Sequence, residues 1–385
     1  MSQVSTPSIG DRITGERLPH RLERLRAWLD TEDLDCLVAF GPDEVNYLTG
    51  YSRYYGGPSG VVVDRDGERT LVVMRDEVSV AESLGQADAV LGFGVRGFGI
   101  ELSPAPLLAE VVASIPALAG ATRAGFADGL GGMEGLFASR VGAALVPAAA
   151  QLVHLRLRKD EDELARMLHA YELCWLGQRA VAEAAADGAS EIEMFTAALA
   201  TAQIAHGEPI EFLADLLAGE ATAEVCCPIR IAGTRRVAPG EPVIADVVVR
   251  ANGYWGDTAE THVVGSNPEA AAARAGLLEI LEQARQELVP GATGAAIFQA
   301  MAARIADTFP GGEFPHHGGH AAGLTSFEDP HLIPSDETPL ETWMAIAVEP
   351  GVYFPGRFGA RVENIFVVTP SGGVELRDAF GVARG

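Results

Sequence analysis

The chain has 385 residues and a net charge of −25, from 28 basic and 53 acidic side chains, which argues against nucleic acid or an anionic membrane as a partner. Its length points to two domains with room for a large core. The four cysteines, Cys36, Cys174, Cys226 and Cys227, make no disulfide framework. Because the chain also shows neither a secretory h-region nor an uninterrupted apolar span, a cytoplasmic protein is expected.

Residues 20–30 (HRLERLRAWLD) place Leu22, Leu25 and Trp28 or Leu29 at helical intervals, and residues 34–40 (LDCLVAF) read as a strand. Gly41-Pro42-Asp43 reads as a turn, followed by a short element that ends at Gly50. Residues 60–64 and 70–74 form an expected hairpin around Asp64-Arg65-Asp66-Gly67. Alternating helix and strand continue to about residue 150, an α/β texture. Gly92, Gly94 and Gly97 spell a GxGxxG. No helix begins before Ser103-Pro104 and no acidic strand end follows, so the stretch reads as a glycine-rich loop and not as a dinucleotide site.

Residues 156–188 read as one long amphipathic helix. The charge run Lys159-Asp160-Glu161-Asp162-Glu163 is read as its solvated start, with acids complementing the macrodipole. A second helix opens at Ser190 with Glu193 completing a capping box and closes near His206-Gly207; His206 is read as a surface or cap residue. Two more helices, 268–288 and 293–307, precede further strands. Helix, helix, hairpin thus occurs twice, which hints at a duplication.

Between the two helix pairs, residues 242–265 (PVIADVVVRANGYWGDTAETHVVG) read as strands 242–249 and 254–264 joined at Arg250-Ala251-Asn252-Gly253. Asn-Gly is a strong hairpin signal because both residues tolerate positive φ. With that four-residue loop Val249 faces Tyr254, and Asp246 sits directly opposite Asp257. Opposed like charges with Cβ atoms about 4.5–5.5 Å apart repel one another. A cation between them removes the conflict; two solvated aspartates, one at a sheet edge and one by a turn, are the plain alternative. This stretch alone leaves both readings open.

A second hairpin is expected in residues 344–369. Glu349 ends the apolar run 345–348, Glu363 lies in an alternating strand, and both are equidistant from Gly356, so they too face one another. The preceding loop, FPHHGGHAAG, carries His316, His317 and His320, the last flanked by small residues. Taken singly, each histidine reads as structural or solvated. Together, Asp246, Asp257, His320, Glu349 and Glu363 make an oxygen-rich set suited to two divalent cations. Mn²⁺ suits these donors, with Co²⁺, Zn²⁺ and Fe²⁺ open. A metal pair about 3.5–4 Å apart bridges a hydroxide and clamps a tetrahedral intermediate.

On these residues the chain resembles the pita-bread metallohydrolases: Xaa-Pro aminopeptidases, prolidases, methionine aminopeptidases and creatinase. LDCLVAFGPDEVNYLTGY is similar to the creatinase-type N-terminal domain, and LRLRKDEDELARMLHA to its junction with the catalytic domain. The resemblance implies an α+β protein: an α/β creatinase-type domain over 1–152 and a pita-bread catalytic domain over 153–385. Asp246 and Asp257 match the family's D…GYxxD segment. His320 matches its GHGxG loop, here GHAAG; Glu349 matches EPGxY, and Glu363 matches GxRxE. The resemblance implies that these five are the metal ligands. It places His316 beside the metals and Arg361 where it orients Glu363 or binds substrate. It also implies a homodimer in which the segment Tyr51-Ser52-Arg53-Tyr54-Tyr55 lines the partner's site, with Arg53 and Tyr54 toward substrate.

The chain departs from the family's pattern on the substrate side. No histidine occurs from 207 to 261, and Ile229 stands where the peptidases carry one. Phe327, in GLTSFEDP, replaces the histidine of GLxxHExP, and Glu260 replaces the arginine of DxTRT. The resulting expectation is hydrolysis of a C–N bond, amide or peptide, in a small molecule or short peptide by a metal-bridged hydroxide. Glu349 would shuttle the proton and His316 would steady the tetrahedral state. The alternative is a non-peptidase relative, a specialised amide or amidine hydrolase or a lyase. A binding module without activity is the third reading, and the five intact ligands speak against it.

Overall fold

The computed structural model describes residues 18–94, 104–224 and 232–382, in two compact units that divide after Arg156. Gly97 of the glycine-rich motif, Ile229 and the Cys226-Cys227 pair lie outside the described residues.

The N-terminal unit runs α1 (Arg21–Thr31), β1 (Cys36–Phe40), α2 (Pro42–Thr49), β2 (Gly60–Asp64), β3 (Arg69–Met74), α3 (Val78–Leu84) and β4 (Ala89–Phe93). It continues with α4 (Pro104–Ala113), α5 (Pro116–Ala119), β5 (Arg123–Asp128), α6 (Met133–Phe137), β6 (Ala144–Pro147) and α7 (Ala149–Leu157). The strands form one mixed sheet in the order β4-β3-β2-β1-β5-β6, with β2 antiparallel to both neighbours and the other pairs parallel. Central β1 (CLVAF) is buried along its whole length, as a strand covered on both faces must be. The expected turn at Gly41-Pro42-Asp43 is instead the start of α2. Proline is suited to the first helical turn because its missing N–H has no partner to lose there.

The second unit contains α8 (Glu161–Ala186), α9 (Glu191–His206), β7 (Glu211–Ala218), β8 (Pro242–Ala251), β9 (Tyr254–Val263), α10 (Pro268–Glu287) and α11 (Gly294–Thr308). Then follow β10 (Gly319–Ala321), β11 (Glu328–His331), β12 (Ala345–Val348), β13 (Gly351–Phe354), β14 (Phe358–Arg361), β15 (Asn364–Thr369), β16 (Gly372–Glu375) and α12 (Leu376–Phe380). The sheets are β7-β8-β9, β11-β10-β12-β15-β16 and the two-stranded β13-β14. Helices α8 and α9 share one apolar core with β7 and β8, and α10 and α11 share a second with β10, β12, β14 and β15. Among the described residues no helix is long and apolar enough to cross a membrane.

The stretch read as one helix over 156–188 is two. α7 ends at Leu157, and α8 begins behind a capping box in which Asp160 and Glu163 satisfy each other's backbone amides. The charge run is not a solvated face, because Lys159, Asp160 and Glu163 are all buried. Asp160 and Glu163 turn inward to cap, and the Lys159 ammonium lies 2.6 Å from Glu328 Oε2.

The register of the first hairpin also differs from expectation. The loop has two residues, Asn252 at φ 53° and Gly253 at φ 82°, and the ladder continues through Ala251 and Tyr254. Two positive-φ residues form a tight turn whose twist matches the strands, so a four-residue loop is unnecessary. Asp246 therefore pairs with Ala259, and Asp257 with Val248. The two aspartates stay on one face as diagonal neighbours. The carboxylate directly opposite Asp246 is Asp215 of β7.

Helix α8 approaches β9 closely at Gly256, beside Asp257, where a Cβ would collide with the backbone of Ala170 and Tyr171. Gly256→Ala is expected to destabilise the unit by about 3 kcal/mol through overpacking, read from urea unfolding midpoints. A loss under about 1 kcal/mol would mean that the helix moves away freely.

Candidate metal centre

The second hairpin explains how Glu349 and Glu363 come to face the aspartates. β12 pairs with β15 up to Val348↔Asn364, and β13 pairs with β14 from Gly351↔Arg361 in the same register. Glu349 and Glu363 sit in the gap between the two ladders, opposite one another as their spacing about Gly356 suggests. Glu363 N is held by Ala259 O of β9 at 2.8 Å and Glu349 N by Gly318 O at 3.0 Å. Thus β9 and the histidine loop fix the two glutamates by their backbones.

His320 is buried on β10, where the ladders place it between Ala347 and His331. Its Nδ1 lies 3.0 Å from Ala321 O, and a carbonyl only accepts, so Nδ1 carries the proton. Nε2 then presents a bare lone pair toward the carboxylates, 3.8 Å from both Asp257 Oδ2 and Glu349 Oε1. A backbone-oriented imidazole of this kind is how proteins hold a metal-ligating histidine.

The donors gather in two triads, Asp257 with His320 and Glu363, and Asp246 with Glu349 and Glu363; within each triad the ligand atoms lie within 4.8 Å of one another. Glu363 belongs to both. Asp257 Oδ1 and Glu363 Oε1 are buried without a hydrogen-bond partner. Buried carboxylate oxygens facing a bare imidazole nitrogen are costly unless a cation occupies the space between them. The five residues named from the sequence therefore converge on one place and fit divalent cations.

Electrostatics agree with this fit. Burial, then repulsion from Asp246 and Glu349, pushes Asp257 well above the usual carboxylate range. Glu363 rises likewise, through burial and then Asp257, Glu349 and Asp246. Burial raises Asp246 to about 7, with Arg361 opposing and Glu349 and Asp215 reinforcing. Glu349 is the exception. Burial works against its charge, but His317, His316 and His320 together bring it to about 2.

These shifts give the metal-free protein an unusual pH dependence. Between the ordinary aspartate value of 3.8 and about 7, folded Asp246 holds a proton that the unfolded chain has released. The folded state then binds more protons, so stability falls as pH rises through that window. Glu349 opposes this only at the acid end of the window, around its ordinary value of 4.5, where the unfolded chain still holds the proton that the folded one has released, and it adds nothing well above that value. Chelator-treated protein is expected to lose a few kcal/mol between pH 4 and 7 relative to Asp246→Asn, and saturating Mn²⁺ should abolish the loss. Urea unfolding at both pH values reads this, and parallel curves for the two proteins would refute it.

His316 is already hydrogen-bonded on both sides. Its Nδ1 is 2.7 Å from His317 O, its Nε2 is 3.0 Å from Tyr353 Oη, and burial drives its pKa down to about 4. His317, which the sequence reading did not single out, has Nδ1 3.0 Å from Glu349 Oε1. Burial lowers its pKa, but the adjacent Glu349 carboxylate outweighs that and the net shift is upward. Arg361 is buried on β14, with Nη2 3.1 Å from Asp215 Oδ2 and 3.0 Å from Asp246 Oδ2. The guanidinium thus separates the two facing aspartates. Asp215 was missed too, although a lone carboxylate in the apolar run LADLLA is the same signal that marked Asp246.

Phe327 is exposed and lies against the centre, its ring centroid 4.2 Å from that of His320. Arg53 and Tyr54 belong to the N-terminal unit. Arg53 lies 3.7 Å from Glu77, and Tyr54 is exposed.

Comparison with known proteins agrees with this architecture. Residues 165–370 match "Metallopeptidase family M24", and residues 21–158 match "Creatinase/Prolidase N-terminal domain". The "Probable dipeptidase PepE" of Mycobacterium tuberculosis is 27% identical over 349 residues, 90% of this chain and 88% of that protein. The "Xaa-Pro dipeptidase" of Pyrococcus furiosus is 25% identical over 372 residues, 93% of this chain and 98% of the other. Among solved structures, the prolidase of Pyrococcus furiosus superposes with a TM-score of 0.71 at 24% identity, covering 91% of this chain and 98% of its own. The X-Pro aminopeptidase of Thermotoga maritima gives 0.75 at 21%, covering 92% and 97%. The fold is the pita-bread fold with a creatinase-type N-terminal domain, and the protein is a metal-dependent hydrolase. The chain belongs to metallopeptidase family M24.

Proposed function

We propose that the chain is a two-metal dipeptidase that hydrolyses short peptides of the Xaa-Pro type. One observation carries the two-metal reading: two donor triads share Glu363, and the histidine's free nitrogen and two unpartnered carboxylate oxygens face into them. The substrate class follows the relatives' names. Asp257 and His320 would hold one cation, Asp246 and Glu349 the other, with Glu363 common to both. Four carboxylates against one imidazole suit Mn²⁺. Two cations bound there supply a water acidified to near neutrality and polarise the scissile carbonyl.

The remaining steps belong to the chain's own residues. Glu349, ionised and beside His317, takes the proton from the attacking water and passes it to the leaving nitrogen. His316, neutral, spends its one N–H on His317 O and takes the Tyr353 hydroxyl at Nε2, so it would steady the histidine loop and Tyr353 beside the centre and not donate to the tetrahedral state itself. Arg361 keeps Asp246 in place, and Phe327 forms an apolar wall beside His320. In a homodimer, Arg53 and exposed Tyr54 would present the N-terminal loop to the other copy's substrate.

The test is an assay on Xaa-Pro dipeptides after reconstitution with Mn²⁺, Co²⁺ or Zn²⁺, paired with metal analysis and sedimentation. Two metals per chain with turnover supports the proposal. A fully loaded protein that cleaves none of the dipeptides ends the peptidase reading and points to a different amide. Well under one metal per chain ends the two-metal reading.

A further inference from the structure

The loop carrying Phe327 closes on one carboxylate. Glu328 Oε1 accepts from the amides of Leu324 and Thr325 at 3.0 and 3.3 Å. Gly323 N donates to Thr325 O at 3.1 Å, and Thr325 Oγ1 donates to Phe327 O at 3.0 Å. The loop's ends are anchored in sheet: Ala321 pairs with Glu328, and Gly323 O accepts from Trp255 N of β9 at 2.9 Å.

The other oxygen of that carboxylate faces the interior. Glu328 Oε2 lies 2.6 Å from Lys159 Nζ, and the two side chains are 8% and 1% exposed. An ammonium buried this completely depends on its carboxylate, so the pair fixes the Glu328 rotamer and with it the loop. Lys159 is itself held, its N–H donating to Trp343 O at 2.8 Å. The loop backbone packs directly on the pair; a Cβ at Gly323 would lie 2.8 Å from both Lys159 Nζ and Glu328 Oε2. The product of this arrangement is the placement of Phe327. Its ring lies against His320 at 33° between planes and meets His317 edge-on at 5.7 Å between centroids, while the side chain remains 56% exposed.

We propose that Lys159 is a positioning residue for substrate selection: its ammonium, ion-paired with Glu328 in the interior, holds the 322–328 loop so that Phe327 offers an apolar platform beside His320. An aromatic face at this position favours a short peptide with an apolar side chain or ring next to the scissile bond, and donates no hydrogen bond to it. The selection rests on the peptidase reading above; the positioning does not.

The experiment has two arms on the full-length protein, loaded with diamagnetic Zn²⁺ for the first, because paramagnetic Mn²⁺ beside His320 would broaden the fluorine line away, and with Mn²⁺ for the second. In the first, 4-fluorophenylalanine at residue 327 reports the loop by ¹⁹F NMR without any substrate. One shifted line is expected for the otherwise native chain. Lys159→Met and Gly323→Ala should each move it toward the position of the solvated amino acid. In the second arm, Lys159→Met should raise KM for Leu-Pro and Phe-Pro about tenfold while kcat stays within about threefold, the pattern of lost uniform binding. In a Phe327→Ala background the same change should add no further rise in KM, because both act through one ring.

A purely structural role for Lys159 would lower the yield of active enzyme and leave KM and the ¹⁹F line in place, and that result overturns the proposal. If Lys159→Met does not fold, Lys159→Met with Glu328→Gln leaves no unpaired buried charge and carries the same two expectations. A native chain inactive on every Xaa-Pro dipeptide ends the peptidase reading alone, and the ¹⁹F arm then decides the positioning role.

Discussion

Asp257→Asn is expected to lower kcat/KM by at least about 10³-fold, since several kcal/mol of transition-state stabilisation leave with the cation and each 1.4 kcal/mol is tenfold. The same substitution should make the metal-free protein more stable. Asp257 is 5% exposed and crowded by Asp246 and Glu349, so at neutral pH its ionisation is resisted. Asparagine keeps the shape without that cost, so the urea midpoint of the metal-free variant at pH 7 should lie above that of the native chain. Mn²⁺ should raise the melting temperature of the native chain, by mass action on the folded state, and leave the variant's unchanged. Turnover within about tenfold of the native chain, still Mn²⁺-dependent, would remove Asp257 from the ligand set.

Arg361→Gln should cost about 3–5 kcal/mol in urea unfolding, because it leaves the facing aspartates of β7 and β8 without the cation that separates them. Asp215→Asn in the same chain should return part of that loss, with a coupling of about 1–3 kcal/mol, since the two changes act on one ion cluster. Metal affinity should fall about 10–100-fold, the usual effect of removing a group that orients a ligand. A loss under about 1 kcal/mol would instead mark the guanidinium as effectively solvated.

The candidate donors were legible in the sequence because they sit on strong local patterns: a Val-rich strand broken by Asp246, an Asn-Gly turn, and Glu349 at the end of an apolar run. The second hairpin keeps the register implied by the midpoint at Gly356. The first does not, because the tight turn at Asn252-Gly253 draws Arg250 and Ala251 into the first strand and shifts the pairing by two residues. The expected facing carboxylates do exist, but they are Asp215 and Asp246. A register error of this size leaves each residue on its original face, since side chains alternate with period two. The convergence on one site therefore survives it.

What stayed hidden depends on distant partners. Lys159 reads as one charge in a run of five, and only Glu328, on the far side of the sequence, turns it inward. His317 looks like a duplicate of His316 until Glu349 comes within 3.0 Å of it. Tyr353 gains meaning only as the group that occupies His316.

The division of the second unit into two apolar cores has a mechanical consequence. Asp246 and Asp257 hang from strands backed by α8 and α9, whereas His320, Glu349 and Glu363 hang from elements backed by α10 and α11. Bound cations would act as rivets through the seam between these halves, alongside the bonds of the Thr261 hydroxyl to the Arg361 backbone and of Glu363 N to Ala259 O. On that reading the supply of metal ions around the protein would set its stiffness as well as its rate, and a chain starved of them would rely on these hydrogen bonds and on Arg361, whose guanidinium reaches across the seam to Asp215 and Asp246.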